Sequence, residues 1–256
     1  MADYITVCED AARAGAAELV AWQGRWNVRE KGPADLVTDA DLASQEAIAR
    51  VIRAVYPDHA FVGEEGPRTE TTDDRPCWIV DPLDGTTNYV HGVPQFAVSV
   101  AVAHGGDVRA GVVLNPISGE CYKAVRGKGA WKNGEPIRTS QVRELEKSLL
   151  AISFPPAVTP DAPEIRNFLA MVGQCQAIRR MGSAALNLCY LACGRFDGYW
   201  ATSDHAWDVA AGALLVEEAG GHLTAPDGGP FDLWDAHLLA AANPEIHGRI
   251  LEKLTG

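Results

Sequence analysis

The stretch Cys77-Trp78-Ile79-Val80-Asp81-Pro82-Leu83-Asp84-Gly85-Thr86-Thr87-Asn88 is the part of this sequence that most constrains its fold. Its apolar start predicts a buried strand, and this strand delivers two carboxylates, Asp81 and Asp84, three residues apart. Carboxylates at the edge of a core are costly unless a positive charge lies between them, and the stretch contains no Lys or Arg. A hard divalent cation such as Mg²⁺, which takes oxygen ligands, meets that requirement.

The residues that follow the two acids add groups that can bind a phosphate. Gly85, Thr86 and Thr87 offer backbone N–H groups and hydroxyls at a turn. Taken alone, an Asp-x-x-Asp-Gly segment is more readily explained as an ordinary Asx-type turn after a strand. Beside carboxylates that can hold a metal ion, the same turn indicates metal-assisted phosphate chemistry.

Composition limits the partners that the chain can have. The 256 residues carry 22 basic and 34 acidic side chains, a net charge of −12, which argues against a nucleic-acid or anionic-membrane surface. An acidic protein that binds an anionic substrate needs a positive electrostatic potential at the binding site, and bound Mg²⁺ provides it. The six cysteines are dispersed and the N-terminus lacks the pattern of a leader peptide, so we expect a cytoplasmic location.

The spacing of apolar residues predicts two halves, divided between residues 147 and 148 and packed as one compact unit. The first half is predicted to place helices against an antiparallel sheet, and the second to alternate strands and helices. Helices are predicted over residues 3–26, 41–56, 163–172, 183–194 and 209–219 and from residue 244 onward. Strands are predicted over residues 60–62, 78–80, 96–103, 108–114, 120–125, 149–153, 196–200, 222–224 and 238–241, and a polar loop over 67–75.

Four further segments make the functional prediction more specific. They are Asp35-Leu36-Val37-Thr38-Asp39-Ala40-Asp41, Phe61-Val62-Gly63-Glu64-Glu65-Gly66, Gly182-Ser183-Ala184-Ala185-Leu186-Asn187 and Ala206-Trp207-Asp208-Val209-Ala210-Ala211-Gly212. In order and approximate spacing, these segments and the first stretch resemble the motifs of the inositol monophosphatase family of Mg²⁺-dependent, lithium-sensitive phosphatases. The resemblance covers nearly the whole chain and implies a layered α-β-α-β-α sandwich of the sugar-phosphatase type, with an α+β half, an α/β half and the site between them.

The resemblance implies metal ligands from three segments. Glu64, Asp81 and the backbone carbonyl of Leu83 would hold one Mg²⁺, and Asp81, Asp84 and Asp208 a second, with a weaker third ion near Glu64. Two metal ions roughly 3.5–4 Å apart can stabilise both the attacking and the leaving oxygen of a phosphoryl transfer. Asp208 is also compatible with a simple capping role at the start of a helix.

The resemblance also implies which groups act on the substrate. Thr86, paired with Asp41 and assisted by Glu64, would orient the attacking water, while Gly85 and Thr86 would bind the phosphate. Further substrate contacts are expected from Asp84, Gly182, Ser183, Ala184 and Asp208. Three neighbours of Asp41 are equally compatible with a site role and with simply starting the helix: Asp35, Thr38 and Asp39.

One substrate-binding position departs from the family pattern. Inositol-specific members have a glutamate seven residues before the metal-binding aspartate, and this chain has Ala201 there. An alanine side chain cannot accept a hydrogen bond, so we expect hydrolysis to survive while the preference for inositol is weaker or redirected. Asp204 or Ser203 could take over the contact from a neighbouring position, although both also suit an ordinary polar loop.

The expected function is Mg²⁺-dependent hydrolysis of a small phosphate monoester by a homodimer, with inositol monophosphate as the first candidate substrate. Histidinol phosphate and a sugar phosphate remain open as alternatives. A 3′-phosphoadenosine nucleotide is less favoured because few aromatic residues near the motifs could stack on adenine. A regulatory binding protein without turnover is also conceivable, but the intact acids at Glu64, Asp81, Asp84 and Asp208 argue against it.

Overall fold

The structure, a computed structural model, describes residues 3–25, 27–32, 35–66, 75–155 and 157–255. The helices are α1 (Tyr4–Trp22), α2 (Asp39–Val55), α3 (Thr86–Val90), α4 (Pro163–Val172), α5 (Ala184–Ala192), α6 (Ala206–Glu218) and α7 (Pro244–Thr255), with a 3₁₀ turn at Leu145–Lys147. The first nine strands are β1 (Val28–Gly32), β2 (Asp35–Thr38), β3 (Ala60–Gly63), β4 (Cys77–Asp84), β5 (Ala97–His104), β6 (Asp107–Leu114), β7 (Cys121–Val125), β8 (Gly129–Lys132) and β9 (Glu135–Pro136). The remaining strands are β10 (Leu149–Ile152), β11 (Ala177–Arg179), β12 (Gly198–Ala201), β13 (His222–Thr224) and β14 (Leu238–Ala241).

These elements stack in five layers, which confirms the predicted α-β-α-β-α sandwich. Helices α1 and α2 cover one face of a sheet of order β3-β4-β5-β6-β7-β8-β9, and α5 and α6 form the central layer. A second sheet, of order β11-β10-β12-β14-β13, follows, and α4 and α7 close the stack. Each sheet therefore buries both of its faces, as expected of a layered domain.

A separate apolar core holds each pair of neighbouring layers together. Leu19, Ile48 and Trp78 are fully buried between α1, α2 and the first sheet. Leu188 and Leu214 lie in the largest core, which surrounds the central helices. Burying an aliphatic or aromatic side chain of this size contributes about 1.5–3 kcal/mol, so each interface is strongly stabilised.

The central helix α6 lies very close to the first sheet because of one glycine. A Cβ atom added to Gly111 on β6 would lie only 2.8 Å from the Cα atom of Ala211 on α6. No larger residue fits at position 111 without moving the helix. This close approach matters for the site, because α6 carries Asp208 in its first turn.

Most sequence-based boundaries are close to the observed ones, and local chemistry explains the differences. Helix α1 ends at Trp22, before the predicted residue 26, and Gly24 follows it with a left-handed φ of 76°. Helix α2 begins at Asp39, two residues earlier than predicted, because Thr38 caps it. Strand β4 continues beyond the predicted residue 80 to Asp84, so it carries both acids of the first stretch.

Several features of the sheets and short elements differ from expectation. The first sheet is not wholly antiparallel, since β3 pairs with β4 in parallel. A parallel pair needs a long crossover, and the chain between residues 64 and 76 supplies it; most of the predicted loop at 67–75 lies outside the described residues. The hairpin β1–β2 and the short helix α3 were not predicted, because neither has a periodic apolar pattern.

The predicted division of the chain falls between the two sheets. Every strand of the first sheet precedes residue 147, and every strand of the second follows residue 148. That the two parts are halves of one compact unit stays a prediction. Within the described residues, no helix is both long and apolar enough to span a membrane.

Candidate metal and phosphate site

The two acids of β4 converge because the strand is irregular where they lie. In a regular strand, residues three apart point to opposite faces of the sheet. The pairing of β4 with β5 shifts register between Asp81 and Asp84, which lie opposite Ser99 and Ala97. The shift occurs around Pro82, which has no backbone N–H to lose from the ladder. Such a bulge redirects a side chain, and here it lets both carboxylates face one site.

The third acid comes from the other end of the chain. Asp208 is the third residue of α6, and its Oδ2 accepts a hydrogen bond of 2.6 Å from the backbone N–H of His205. Carboxylate oxygens of Asp81, Asp84 and Asp208 lie within 4.8 Å of one another. Asp208 thus caps the first turn of its helix and also completes a cluster of three acids.

The electrostatics of this cluster are unfavourable without a cation. Asp81 is 1% exposed, and burial, together with the charges of Glu64, Asp84 and Asp208, raises its pKa well above the usual value. Burial and the charge of Asp208 raise the pKa of Asp84 to about 7. Three converging oxygen donors that repel one another match the ligand preference of a hard divalent metal ion. The donor set therefore fits the predicted metal.

The carboxylate of Asp84 is held by the first turn of α5. The Ser183 hydroxyl donates to Oδ2, and the backbone N–H groups of Ala184 and Ala185 donate over 3.1 and 2.8 Å. Ser183 also accepts a bond from the N–H of Leu186, as the predicted N-cap of the helix. The segment predicted to contact substrate thus directs its polar groups at Asp84, while Gly182 and Ala184 line the adjoining cavity.

The turn after the acids combines a left-handed backbone with close contacts to two other segments. Gly85 adopts a left-handed φ of 96°, and a Cβ atom there would lie 3.0 Å from the carbonyl oxygens of Gln95 and Gly182. Only glycine suits this position, both for its φ and for the close contacts. The next residue, Thr86, begins the single turn of α3.

Thr86 and Asp41 meet as the resemblance implied. The Thr86 hydroxyl lies 3.2 Å from Oδ1 of Asp41 and 3.1 Å from the carbonyl oxygen of Leu83, so it can donate to either acceptor. Asp41 is fully buried, and its Oδ2 accepts bonds from the backbone N–H and the hydroxyl of Thr38. Burial raises the pKa of Asp41 to about 6 despite these bonds.

Two of the three neighbours of Asp41 start the helix, which was one of the two roles left open for them. Asp35 does not, because it lies at the start of strand β2. Thr38 is the N-cap of α2, and Asp39 is its first residue. The carboxylate of Asp39 accepts a bond of 2.8 Å from the Asn27 side chain and pairs with Arg29 at 2.6 Å.

Two further residues of α2 support the site, and sequence reasoning missed both. Ser44 is fully buried and donates to the carbonyl oxygen of Pro82 over 2.9 Å. The Gln45 side-chain amide donates a hydrogen bond to the backbone carbonyl of Glu65 and accepts one from its backbone N–H, next to Glu64. One face of α2 carries Asp41, Ser44 and Gln45, which are spaced i, i+3, i+4. Polar residues at this spacing on a face that otherwise packs into the core were the sequence signal that could have identified Ser44 and Gln45 as part of the site.

A cavity of about 370 Å³ opens beside the acids, a suitable size for a small ligand. Glu64, Asp84 and Asp208 line it, and so do one pair of stacked rings and one cation–π pair. The rings of His205 and Trp207 stack at 4.6 Å, and the Arg180 guanidinium lies 5.7 Å from the ring centre of Phe154. The lining therefore combines charged, polar and aromatic groups.

Ala201 does not line this cavity. It is fully buried at the end of β12, opposite Leu238, and packs within the large central core. Ser203 and Asp204, the two neighbours considered as replacements, both line the cavity. Burial raises the pKa of Asp204 well above its usual value, and the charge of Asp208 adds to the effect.

Comparison with known proteins agrees with the motifs and the fold. The model of the inositol monophosphatase family matches residues 2–256. The chain is 45% identical to Nus factor SuhB of Pasteurella multocida over 88% of its length and 84% of that relative, and 38% identical to the inositol-1-monophosphatase of Caulobacter vibrioides over 96% and 98%. The crystal structure of the extragenic suppressor protein suhB from Bartonella henselae superimposes with a TM-score of 0.92 at 37% identity, covering 97% of each chain.

Proposed function

The chain belongs to the inositol monophosphatase family and is a phosphoric monoester hydrolase, and on that premise we propose that it hydrolyses inositol monophosphate with Mg²⁺ as its cofactor. The observation that carries this proposal is the convergence of Asp81, Asp84 and Asp208 within 4.8 Å, next to the turn at Gly85 and Thr86. Such a cluster suits a divalent metal ion, and the turn suits the phosphate that the ion would bind.

We propose two to three Mg²⁺ ions, held by Glu64, the Leu83 carbonyl and the three clustered aspartates. By the family resemblance Asp81 would serve as a ligand of both ions, and the hydrogen bond of 2.9 Å from the Leu83 N–H to its Oδ1 would fix the orientation of the carboxylate. When bound, the metal ions neutralise phosphoryl charge and make a water molecule more acidic at neutral pH. The carboxylates of the protein would fix the positions of these metal ions.

The remaining residues bind the phosphate and orient the water. The N–H groups of Gly85 and Thr86 are the proposed phosphate donors, and the bare Cα of Gly85 lets this turn pack against the carbonyl oxygens of Gln95 and Gly182. When the Thr86 hydroxyl donates to Asp41, its oxygen is left to accept a hydrogen bond from the attacking water, which keeps that hydrogen. Glu64, which lines the cavity, is the proposed acceptor of the second hydrogen of that water.

A phosphate-release assay on a panel of monoesters tests the proposal. The panel contains inositol 1-phosphate, histidinol phosphate, glycerol 2-phosphate, a hexose phosphate and a 3′-phosphoadenosine nucleotide, each with Mg²⁺ and with excess chelator. We expect Mg²⁺-dependent release, fastest with inositol 1-phosphate. A different preferred ester would reassign the substrate to one of the alternatives, and full activity in chelator would contradict the metal mechanism.

A second candidate function is regulatory binding without turnover. The observation that favours it is the relative at 45% identity, which is named a Nus factor rather than a phosphatase. The buried cluster of acids favours catalysis instead, because a binding protein gains nothing from carboxylates that repel one another. A folded protein that releases phosphate from no ester of the panel would support the regulatory function.

Two further properties belong to the proposal. We propose a homodimer, on the family resemblance, and light scattering at micromolar concentration tests it; a monomer would contradict it. We also propose a cytoplasmic location, with which the six free cysteines, four of them buried, are consistent. Nucleic acid and membranes are not proposed as partners, given the net charge of −12.

A further inference from the structure

One carboxylate that lines the cavity, Asp204, is not among the proposed metal ligands. Asp204 follows β12 in the loop before α6, and its partly buried side chain lines the cavity. Its Oδ2 accepts a hydrogen bond of 2.8 Å from the hydroxyl of Tyr199. Among the residues that the structure describes, none donates to its Oδ1, so this oxygen can accept a hydrogen bond from a ligand.

A chain of hydroxyls fixes the position of Asp204. Tyr199 is fully buried on β12, and its hydroxyl lies 2.7 Å from the Oγ of Ser153, which follows β10. Because the single hydrogen of Tyr199 is directed at Asp204, Ser153 must donate to Tyr199. Two neighbouring strands of the second sheet thus hold the carboxylate in place, and a preorganised acceptor loses little entropy when a ligand binds.

Asp204 is the carboxylate of the cavity that is available to bind the alcohol portion of the substrate, because the other carboxylates of the lining have another proposed role. Glu64, Asp84 and Asp208 are assigned to metal ions in the proposed function. Ala201 is buried and offers no polar side-chain atom. Asp204 is the remaining carboxylate that the described cavity lining contains.

We propose that Asp204 is a specificity-determining residue that accepts a hydrogen bond from a hydroxyl of a polyol phosphate. This inference rests on the proposed phosphatase function and adds the recognition of the alcohol. A carboxyl oxygen accepts hydrogen bonds whether or not the group is ionised, so Oδ1 of Asp204 pairs with a hydroxyl but not with a hydrocarbon surface. An ester without hydroxyls would leave the carboxylate desolvated and unpaired, and the site would reject it.

The test compares two esters with the same ring. Inositol 1-phosphate carries hydroxyls on the ring carbons, and cyclohexyl phosphate carries none. We expect Asp204→Ala to lower kcat/KM for inositol 1-phosphate by about 10-fold, as expected for loss of one hydrogen bond. The loss should appear mainly as a higher KM, and the change for cyclohexyl phosphate should be much smaller.

Two further variants separate recognition from structure. Tyr199→Phe removes the hydrogen bond that positions Asp204 but keeps the carboxylate, so we expect a smaller loss of selectivity in the same direction. Asp10→Asn changes an exposed acid on α1 and should leave both esters unaffected. The thermal midpoint of each variant shows whether it remains folded.

The outcomes distinguish this inference from the function on which it rests. A selective loss for inositol 1-phosphate supports the subsite. An unchanged ratio between the two esters, or an equal loss for both, overturns it. If the wild-type protein hydrolyses neither ester, the proposed function fails, and calorimetric titration of inositol 1-phosphate with Mg²⁺ then decides the subsite: equal affinities of wild type and Asp204→Ala overturn it.

Discussion

The backbone N–H of Ala185 donates a hydrogen bond of 2.8 Å to the carboxylate of Asp84, although the two residues are 101 positions apart. Asp84 ends a strand of the first sheet, and Ala185 lies in the first turn of a central helix. A helix N-terminus favours a negative charge, so it lowers the cost of burying this carboxylate. The two parts of the chain therefore meet at a proposed metal ligand, and several predictions concern such contacts.

Neutralising the clustered acids should abolish turnover while preserving the fold. Asp81→Asn and Asp84→Asn keep the size of the side chain but remove the charge that holds the metal ions. We expect each to lower kcat for inositol 1-phosphate by orders of magnitude, with Asp81→Asn the more severe because Asp81 is the proposed bridge. Phosphate release and circular dichroism measure the two effects, and Asp10→Asn serves as the control. Substantial turnover in Asp81→Asn would contradict the ligand assignment.

Removing the Ser183 hydroxyl should affect both stability and metal affinity. Ser183→Ala removes the cap of α5, which typically costs about 0.5–2 kcal/mol, and it removes one bond to Asp84. For a chain of this length that cost lowers the thermal midpoint by roughly 2–4 °C per kcal/mol. We expect a higher half-saturating Mg²⁺ concentration as well, and Ser183→Thr should largely restore both. A stability loss without any change in Mg²⁺ dependence would show that Ser183 only caps the helix.

Gln45 should contribute to metal affinity without touching the metal. Its amide holds the backbone of Glu65, so Gln45→Ala frees the segment that carries Glu64. We expect Mg²⁺ to bind several-fold more weakly by calorimetry, with kcat at saturating Mg²⁺ changed much less. Glu46→Ala, one residue further on the exposed face of the same helix, is the matched control. Equal Mg²⁺ affinity in the two variants would refute the positioning role.

Stabilisation by Mg²⁺ should increase with pH. The pKa of Asp84 is raised by burial to about 7 and that of Asp81 is also raised, so the metal-free folded protein holds more protons than the unfolded chain between about pH 4 and 7. Its stability therefore falls as pH rises through this window, where deprotonated acids repel one another. Mg²⁺ relieves the repulsion, and the rise in thermal midpoint on adding Mg²⁺ should be larger at pH 8 than at pH 5.5. An equal rise at both pH values in wild type would contradict these raised pKa values; Asp84→Asn should weaken the dependence.

Lithium should inhibit the enzyme at millimolar concentrations. This prediction rests on the family resemblance, because Li⁺ also prefers oxygen ligands and can replace one Mg²⁺ without supplying the same charge. Phosphate release from inositol 1-phosphate at several Mg²⁺ concentrations measures it, with NaCl at equal ionic strength as the control. Equal rates in LiCl and NaCl would rule out such a replaceable site.

Much of the fold could be predicted from the sequence because its elements carry local signals. Helix α4 and strands β13 and β14 have the predicted bounds, and Ser183 caps α5 as predicted. The hairpin β1–β2 and the parallel pairing of β3 with β4 were missed. Pairing depends on which segments meet in space, and short strands without alternation contain no record of their partners.

The sequence by itself determined the family and, through that resemblance, the layered fold and the acids that can hold a metal ion, because five motifs occur in the order and approximate spacing of the family. Only the tertiary structure decided how those acids are supported. The bulge at Pro82, the helix face of Asp41, Ser44 and Gln45, and the chain from Ser153 through Tyr199 to Asp204 join distant segments. Hydrogen bonds between such segments depend on distances of a few tenths of an ångström, which packing of the layers sets and no local pattern encodes.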